Sequence, residues 1–396
     1  MKDKIITKNF CCIFLALFFV SNIMYMLMST MSEYTTAFGA STMVAGMVTG
    51  IYTIGGIFSR LYAGSGAQRW GWRRFAVTFM LLHLAACACY FLVDNVAVLL
   101  LVRFIHGLGY GGAANIILTI GMSILPKSRY GEASGYFMLA PTLAIASGPY
   151  AGAYIYDTFG PTGCFIMTII FSALMLLFIL AMDFKEIDPG VQKTERREPD
   201  AAGLNRIFEV KAVPISFCMF LFAFGYVAVM SFYRLYSVET NLTSEFSYFF
   251  LMYAVVLICT RPTAGKIQDK YGDNVIIYPG IIAQAIGLFL IAWLPCMFTI
   301  VLCAIGCGLG YGTLNSCCNS IACRQASPER RSYAVSTFWV FCDGGMGLGP
   351  TILGAVAGAT GYTAMYYVAS GVTLVALPIY YLAWGRHGGK AKKHSH

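Results

Sequence analysis

The pentapeptide Gly107-Leu108-Gly109-Tyr110-Gly111 recurs letter for letter at positions 308–312, a shift of 201 residues (308 − 107). Three further landmarks repeat at the same shift: the segment 59–64 as 260–265, Gly71 as Gly272, and the Gly-Pro pair 148–149 as 349–350. One match arises easily in a chain with 41 glycines, but four matches in one register do not. The sequence therefore predicts two copies of one structural unit.

The chain is too apolar for a water-soluble protein. Of its 396 residues 58% are hydrophobic and 11% are charged, and its mean hydropathy is +0.69, whereas soluble domains carry roughly 25% charged residues. Apolar runs of about 20 residues, each long enough to cross ~30 Å of hydrocarbon as a helix, recur throughout. We expect twelve spans, at 9–31, 42–63, 74–93, 96–124, 132–155, 161–182, 212–235, 246–264, 275–294, 297–322, 332–357 and 362–385.

The repeat and the twelve spans together predict the architecture. An even split gives an all-α integral membrane protein, in which twelve transmembrane helices form two pseudo-symmetric six-helix bundles. We place the N-terminal bundle at residues 1–183 and the C-terminal bundle at residues 211–396. Residues 184–210, which are rich in charges of both signs, are predicted to form a cytoplasmic linker.

Lys and Arg residues are confined to one side of the twelve-span arrangement. Of the 27, 25 lie in the termini and in alternate loops, and the remaining two, Arg103 and Arg234, fall within spans. Because positively charged loops stay in the cytoplasm, both termini are predicted to be cytoplasmic. The net charge of +9 follows from this topology and does not indicate a nucleic-acid partner. The first apolar run is too long for a signal peptide and is expected to remain as the first span.

The fourteen cysteines lie almost entirely inside apolar segments. No spacing typical of a metal site joins them to the five histidines, so we expect small hydrophobic residues and neither a metal nor a cofactor. The chain also has no Walker loop and no clustered nucleophile pattern, which disfavours a membrane-embedded enzyme or receptor.

The loops after spans two and eight resemble a signature of the major facilitator superfamily, and the resemblance covers nearly the whole chain. The family pattern is Gly, three residues, Asp, a basic residue, one residue and Gly; the two copies here begin at residues 64 and 265, and the first has Gln in place of Asp. In the family this loop latches the cytoplasmic side when the transporter opens outward. The resemblance implies gating roles for Gly64, Gln68, Arg69, Gly71, Arg73, Gly265, Asp269, Lys270 and Gly272. Because Gln68 is neutral, the latch would depend more on Asp269.

Three further segments are similar to signatures of the same family. Residues 103–109 read Arg-x-x-x-Gly-x-Gly, and Gly148-Pro149 in span five is similar to the Gly-Pro signature of antiporters. Residues 343–350, an Asp-x-Gly-x-Gly-x-Gly-Pro run ending in Gly349-Pro350, resemble bacterial exporters of quinolones and metallophores. The resemblance implies an antiporter in which both Gly-Pro pairs belong to the moving parts.

Three ionisable side chains within the spans are candidates for proton coupling. Asp343 is predicted near the middle of span eleven, where a charge costs roughly 2.5–3.5 kcal/mol and needs a partner or a purpose. It either loads and releases a proton or forms structural hydrogen bonds to neighbouring helices. The resemblance implies a coupling role for Arg103, with a buried helix clamp as the alternative. His106, on the same helical face, either titrates near physiological pH or packs as a neutral ring.

Polar side chains on the helices that line the cavity in this family form a predicted substrate surface. The candidates are Asn22, Tyr25, Glu33, Asn115, Thr119, Tyr226, Arg234, Asn315 and Asn319. Glu33 and Arg234 are expected at the outer ends of spans one and seven, where each either attracts substrate or simply occupies the membrane interface.

These features predict a secondary active transporter. We expect a monomer that exports a small organic solute across the cell membrane in exchange for protons, by alternating access. The alternative is an uptake symporter or facilitator for a small organic anion, attracted by Arg103 and Arg234. The sequence does not identify the substrate, because fold and family do not fix it.

Overall fold

The computed structural model describes residues 4–126, 133, 136–184, 187, 208–326 and 330–386, and every regular element within these residues is helical. The long helices are α1 (Lys8–Ala37), α2 (Thr42–Trp70), α3 (Trp72–Cys89), α4 (Val96–Ser123), α5 and α6 (the two parts of Leu139–Leu180), α7 (Val213–Glu239), α8 (Thr243–Tyr271), α9 (Asn274–Trp293), α10 (Met297–Gln325), α11 (Arg331–Thr360) and α12 (Tyr362–Tyr380). Short 3-10 helices occupy Tyr90–Leu92 and Val210–Ala212, and π-helical turns occupy Gly308–Gly312 and Tyr381–Gly385.

The described helices match the predicted membrane spans. Eleven continuous stretches are long and apolar enough to cross a membrane, and one of them, Leu139–Leu180, contains two spans. This stretch is broken at Gly160, whose φ of 67° and ψ of −171° are not helical. Pro161 follows as the first residue of α6, a position where proline's missing N–H costs nothing. The predicted all-α membrane fold is confirmed.

The backbone repeats at the same 201-residue shift as the sequence. Gly71 and Gly272 both adopt positive φ, 78° and 91°, at the turns that follow α2 and α8. Gly160 and Gly361 do the same, with φ of 67° and 89°, at the turns that precede α6 and α12. Positive φ strains any residue with a Cβ atom, so each copy has a glycine at the same two turns.

The described chain divides into two compact units. The first contains residues 1–40 and 48–195, and the second contains residues 41–47 and 196–396. In the first unit, α1 packs along α5 and α6, and α3 packs along α4. In the second unit, α11 and α12 pack against α7, and α9 packs against α10 and α12. The predicted linker at 184–210 lies mostly outside the described residues.

Large apolar side chains on the outside of the helices remain exposed. Leu101 on α4, Leu177 on α6 and Leu382 after α12 are each about 60% exposed. Water would not favour so much exposed apolar surface, whereas lipid tails solvate it. The fold therefore buries small and polar residues between helices and presents leucine and phenylalanine to the bilayer.

Candidate functional site

Arg103 is buried within the first unit, where it is 1% exposed. Its Nε donates to the carbonyl oxygen of Val48 on α2 at 3.0 Å, and its guanidinium also donates to the Tyr90 hydroxyl at 3.3 Å. The guanidinium carbon lies 4.4 Å from the centre of the Tyr52 ring, close enough for a cation–π interaction. These partners are neutral and come from other segments of the unit. The contacts fit a helix clamp, and the coupling role of Arg103 stays a prediction.

His106 is connected to Arg103 through Tyr90. Its Nδ1 lies 2.9 Å from the Tyr90 hydroxyl, and its Nε2 lies 3.0 Å from Nε2 of His83 on α3. Nδ1 of His83 in turn lies 2.9 Å from the Ser172 hydroxyl on α6. The structure thus places the two predicted coupling residues of α4 in one buried chain of polar groups, of which Tyr90 and Ser172 were missed from the sequence.

Three potential metal ligands meet in this chain of polar groups. Sγ of Cys87 lies 3.4 Å from Nε2 of His106, and the donor atoms of His83, Cys87 and His106 all lie within 4.8 Å of one another. No metal-type spacing was recognised in the sequence, and the expectation of no metal stays a prediction. His83 and Cys87 are four residues apart on α3, so they share one helical face, and the third donor comes from α4. The four-residue spacing of His83 and Cys87 was the signal for this cluster that the sequence offered.

Asp343 is buried on α11 in the second unit, where it is 5% exposed. The glycines that follow it allow α11 to lie very close to α7. A Cβ atom at Gly345 would lie 2.9 Å from Cβ of Ala223, and one at Gly349 would lie 2.6 Å from Cγ1 of Val227. The missing side chains therefore bring the two backbones together directly after the buried Asp343.

A stack of aromatic rings lies beside the same part of α11. The ring of Tyr226 on α7 lies 4.5 Å from that of Tyr311 on α10 and 5.1 Å from that of Tyr253 on α8, measured between centroids. The Tyr311 hydroxyl donates to Sδ of Met346 at 3.3 Å. Three helices of the unit are thereby tied to α11 one turn after Asp343.

Asn315 contacts the residue immediately before Asp343. Its Nδ2 lies 3.7 Å from Sγ of Cys342, which the Tyr311 hydroxyl also approaches at 3.7 Å. Two of the predicted cavity residues, Tyr226 and Asn315, are therefore brought next to the segment that carries Asp343.

The cavity residues predicted on α1 and α4 belong to the first unit. Asn22 is buried and donates to the Ser147 hydroxyl on α5 at 2.6 Å, and Tyr25, nearly one turn later, is half-buried. Thr119 is exposed and donates to the carbonyl oxygen of Asn115 at 2.9 Å. Their role in substrate binding stays a prediction.

The remaining cavity candidates are dispersed along their helices. Glu33 near the end of α1 and Asn319 near the end of α10 are half-buried, and Arg234 on α7 is 9% exposed. The role of these three residues in substrate binding also stays a prediction.

The predicted gating loops are short turns between helices. Arg69 and Arg73 are exposed on either side of Gly71, and Gly265 and Lys270 are exposed near the end of α8. The side chains of Gln68 and Asp269, and the surroundings of Gly64, lie outside what the structure describes. The latch itself therefore stays a prediction.

The two Gly-Pro pairs lie inside long helices. Pro149 is in α5 and Pro350 is in α11, where each removes a backbone hydrogen bond and favours a local bend. Gly148 packs on α1, since a Cβ atom there would lie 2.9 Å from Cβ of Tyr25. Gly349 packs on α7 in the second unit, as described above. Their part in the transport motion stays a prediction.

Asp273, which was not singled out from the sequence, accepts hydrogen bonds from three side chains of the second unit. Its Oδ1 accepts from Gln268 at 2.7 Å and from Arg324 at 2.5 Å, and its Oδ2 accepts from the Trp384 indole at 2.7 Å. The four residues come from α8, the start of α9, the end of α10 and the turn after α12. Asp273 thus joins four chain segments at one end of the unit; the available signal was an acidic residue directly after the second loop signature.

A second ion pair lies near the start of α7. Glu209 accepts from Nε of Arg330 at 2.5 Å, and Arg330 also donates to the carbonyl oxygen of Phe208 at 2.9 Å. The backbone N–H of Glu209 donates to the hydroxyl of Thr337 on α11 at 2.9 Å. The pair connects the chain entering α7 to the start of α11.

A cavity of about 260 Å³ lies in the second unit, between α8, α9 and α10. Its walls include Thr260, Ile267, Val275 and Leu309, and none of the predicted site residues lines it. This mostly apolar cleft is lined by no charged group and offers no chemistry for proton coupling, unlike the polar groups around Asp343 and His106.

Comparison with known proteins agrees with these features. The sequence profile of the Major Facilitator Superfamily matches residues 13–350. An uncharacterized MFS-type transporter of Methanocaldococcus jannaschii is 21% identical over 359 residues, covering 89% of this chain and 92% of the relative. Multidrug resistance protein MdtG of Dickeya zeae is 23% identical over 290 residues, 72% of this chain and 70% of the relative. The crystal structure of a POT family transporter in complex with 5-aminolevulinic acid superposes with a TM-score of 0.78 at 14% identity, covering 94% of this chain and 95% of that one.

Proposed function

Because this chain belongs to the Major Facilitator Superfamily, we propose that it is a proton-coupled exporter of a small organic solute. The transporter sits in the cell membrane with both termini in the cytoplasm. It works as a monomer by alternating access, and protonation of Asp343 biases the equilibrium between inward-open and outward-open states.

The burial of Asp343 carries the proposal. The carboxyl group lies in α11, a helix apolar enough to span a membrane, and it is 5% exposed. A charge there is costly, roughly 2.5–3.5 kcal/mol on insertion scales, so proton binding changes the energy of the surrounding packing considerably. The close approach of α11 to α7 at Gly345 makes that packing sensitive to any change at Asp343.

The direction of transport is proposed from the relatives. MdtG of Dickeya zeae, which is 23% identical to this chain over 72% of its length, is named a multidrug resistance protein. The Asp-x-Gly-x-Gly-x-Gly-Pro run of residues 343–350, similar to that of bacterial exporters, supports the same direction.

Asp343→Asn tests the coupling role. The substitution keeps the shape of the side chain but removes its ability to release a proton. In everted membrane vesicles energised to an acidic interior, we expect the wild-type protein to accumulate ethidium and the variant to lose gradient-driven accumulation. The matched control is Asp94→Asn, because Asp94 is an exposed carboxylate in the turn before α4 and its loss leaves transport unchanged.

A measurement without substrate complements the transport assay. Infrared difference spectra of the protein in liposomes, recorded between acidic and neutral pH, report the protonated carboxyl group directly. A carboxyl band present in the wild type and missing in Asp343→Asn supports proton binding at this residue. Identical spectra, or undiminished gradient-driven accumulation by the variant, would contradict the coupling role. Accumulation in right-side-out rather than everted vesicles would favour uptake instead.

A further inference from the structure

The side chains of His83, Cys87 and His106 converge on one buried point in the first unit. Nε2 of His83 and Nε2 of His106 are 3.0 Å apart, and Sγ of Cys87 lies 3.4 Å from Nε2 of His106 and 3.8 Å from Nδ1 of His83. All three residues are fully buried. Ligand atoms placed about 2.0–2.3 Å from one metal ion lie roughly 3.2–3.8 Å from one another. The donor atoms of the three residues lie within 4.8 Å of one another, so side-chain shifts of about 1 Å bring them to these spacings.

The outer nitrogen of each imidazole is fixed by a hydroxyl group. Nδ1 of His106 lies 2.9 Å from the Tyr90 hydroxyl, and Nδ1 of His83 lies 2.9 Å from the Ser172 hydroxyl. Hydrogen bonds of this kind set the tautomer and the orientation of metal-binding histidines. Here they leave both Nε2 atoms facing each other.

The fold itself does not require these donors. The repeat places Gln284, Leu288 and Cys307 at the positions of His83, Cys87 and His106, each 201 residues later. The Gln284 side chain donates to the carbonyl oxygen of Phe222 at 2.8 Å and accepts from the backbone N–H of Tyr311 at 2.7 Å. Its hydrogen bonds are therefore to backbone groups of its own unit. The second copy therefore folds with a different set of side chains, and the two imidazoles and the thiol are particular to the first.

We propose that His83, Cys87 and His106 bind one Cu(I) ion. A thiolate and two imidazoles are soft and borderline ligands, a set that suits Cu(I) and Zn(II) rather than Mg(II) or Ca(II). On binding, the Cys87 thiol releases its proton to solvent and forms the copper–sulfur bond, while the two neutral imidazoles donate lone pairs. The resulting thiolate–Cu(I) unit has no net charge.

The charge of the surroundings favours a monovalent ion over zinc. The guanidinium of Arg103 is held against the Tyr90 hydroxyl at 3.3 Å, and that hydroxyl contacts His106. A divalent ion on one thiolate would leave a second positive charge close to Arg103 in a medium of low dielectric constant. Structural zinc also takes four ligands, whereas the described cluster provides three, a number that Cu(I) accepts.

Copper retention by the full-length protein tests the site. Purified protein in detergent, kept reduced with ascorbate, is loaded with Cu(I) and titrated with the chelator bathocuproine disulfonate. We expect the wild type to retain one more Cu(I) per chain than Cys87→Ser or His83→Gln at the same chelator concentration. His83→Gln introduces the residue that the second copy already has at this position, so it provides a variant that the fold accommodates. Cys164→Ser, which removes another buried thiol of the same unit, is the matched control and keeps the wild-type copper content.

X-ray absorption spectroscopy of the copper-loaded wild-type protein identifies the ligand atoms of copper without the use of any variant. Copper bound at this site shows one sulfur neighbour together with the multiple scattering of imidazole rings. Sulfur neighbours alone would mean that copper is bound only by other cysteines, and the proposal would be wrong. Equal retention by the wild type, Cys87→Ser and His83→Gln would overturn it as well, as would zinc binding in preference to Cu(I) under the same reducing conditions.

Discussion

Gln284 lies 201 residues after His83, and each of the two packs against the central glycine of one Gly-Leu-Gly-Tyr-Gly copy. A Cβ atom at Gly109 would lie 2.7 Å from Cα of His83, and one at Gly310 would meet the side chain of Gln284. The two copies nevertheless differ in backbone structure. Gly109 lies in the regular helix α4, whereas Gly310 has φ of −75° and ψ of −105° within a π-helical turn of α10.

The carboxamide of Gln284 accounts for this difference. It accepts the backbone N–H of Tyr311 at 2.7 Å, so this N–H is bound to a side chain from another helix. An acceptor inserted into the hydrogen-bond ladder is a common cause of π-helical turns. In the first copy His83 directs its ring toward His106 and Ser172 instead, and α4 stays regular.

Gln284→Ala is expected to destabilise the second unit. The substitution removes the acceptor of the buried Tyr311 N–H, and leaving such a group without a partner costs about 1–3 kcal/mol. Reversible unfolding in mixed detergent micelles measures the change in the free energy of unfolding. Ser316→Ala on α10, the helix that carries Tyr311, is the control, because Ser316 is exposed and its hydroxyl bonds only to the helix itself in the described contacts. An equal effect of the two substitutions would contradict the role assigned to Gln284.

Gly109→Ala is expected to destabilise the protein more than Gly265→Ala. The new methyl group at position 109 would lie 2.7 Å from backbone atoms of His83, which cannot move without shifting α3 against α4. Overpacking of this kind costs typically 1–3 kcal/mol. At Gly265 nothing lies within 4 Å of the added atom, so alanine there is neutral or slightly stabilising. Thermal unfolding of both variants in one detergent gives the comparison, and a Gly265→Ala variant as unstable as Gly109→Ala would refute it.

The repeat explains why much of the fold was predictable from the sequence. Span positions depend on runs of apolar residues, and the turns at Gly71 and Gly272 depend on a glycine that tolerates positive φ, so both are local properties. The burial of Asp343 and Arg103 followed from their isolation among apolar neighbours.

Contacts between distant helices were not predictable in the same way. The identical pentapeptides at 107–111 and 308–312 adopt different backbones because the residue that faces them is His83 in one case and Gln284 in the other. The meeting of Cys87 with His106 likewise depends on the packing of α3 against α4. Such contacts are visible only in the three-dimensional structure, since the spacing of residues along the sequence shows only which residues share a face of one helix.

Asp273→Ala is expected to destabilise the second unit more than Arg324→Ala. The Asp273 side chain is 6% exposed and binds three partners, so its removal leaves the Trp384 indole without its acceptor and Gln268 with only the carbonyl oxygen of Cys317. Arg324 is 43% exposed, so solvent screens its charge, and Asp273 keeps its other two hydrogen bonds when Arg324 is removed. We expect about 1–3 kcal/mol for the first variant and about 1 kcal/mol or less for the second.

The double variant Asp273→Ala/Arg324→Ala completes the comparison. Because Arg324 has lost its partner once Asp273 is gone, the second substitution adds little further loss of stability. Unfolding free energies of the four proteins in the same micelles give the coupling energy. Fully additive losses, or a larger loss for Arg324→Ala alone, would show that Asp273 does not organise this end of the unit.

Cys296, in the turn between α9 and α10, is expected to react with maleimides at lower pH than an ordinary thiol. Hydrogen bonds from the backbone N–H and the hydroxyl of Thr299 favour the thiolate and lower the pKa of Cys296. A lowered pKa gives more thiolate at neutral pH, and the thiolate is the reactive form. Thr299→Val removes the hydroxyl, so the pH profile of labelling shifts to higher pH.

The proposed topology places this turn outside the cell, and a membrane-impermeant maleimide then labels Cys296 in intact cells. Mass spectrometry of the labelled peptide measures both effects. Labelling of Cys296 only after the membrane is permeabilised would mean that this turn faces the cytoplasm, contrary to the proposed topology.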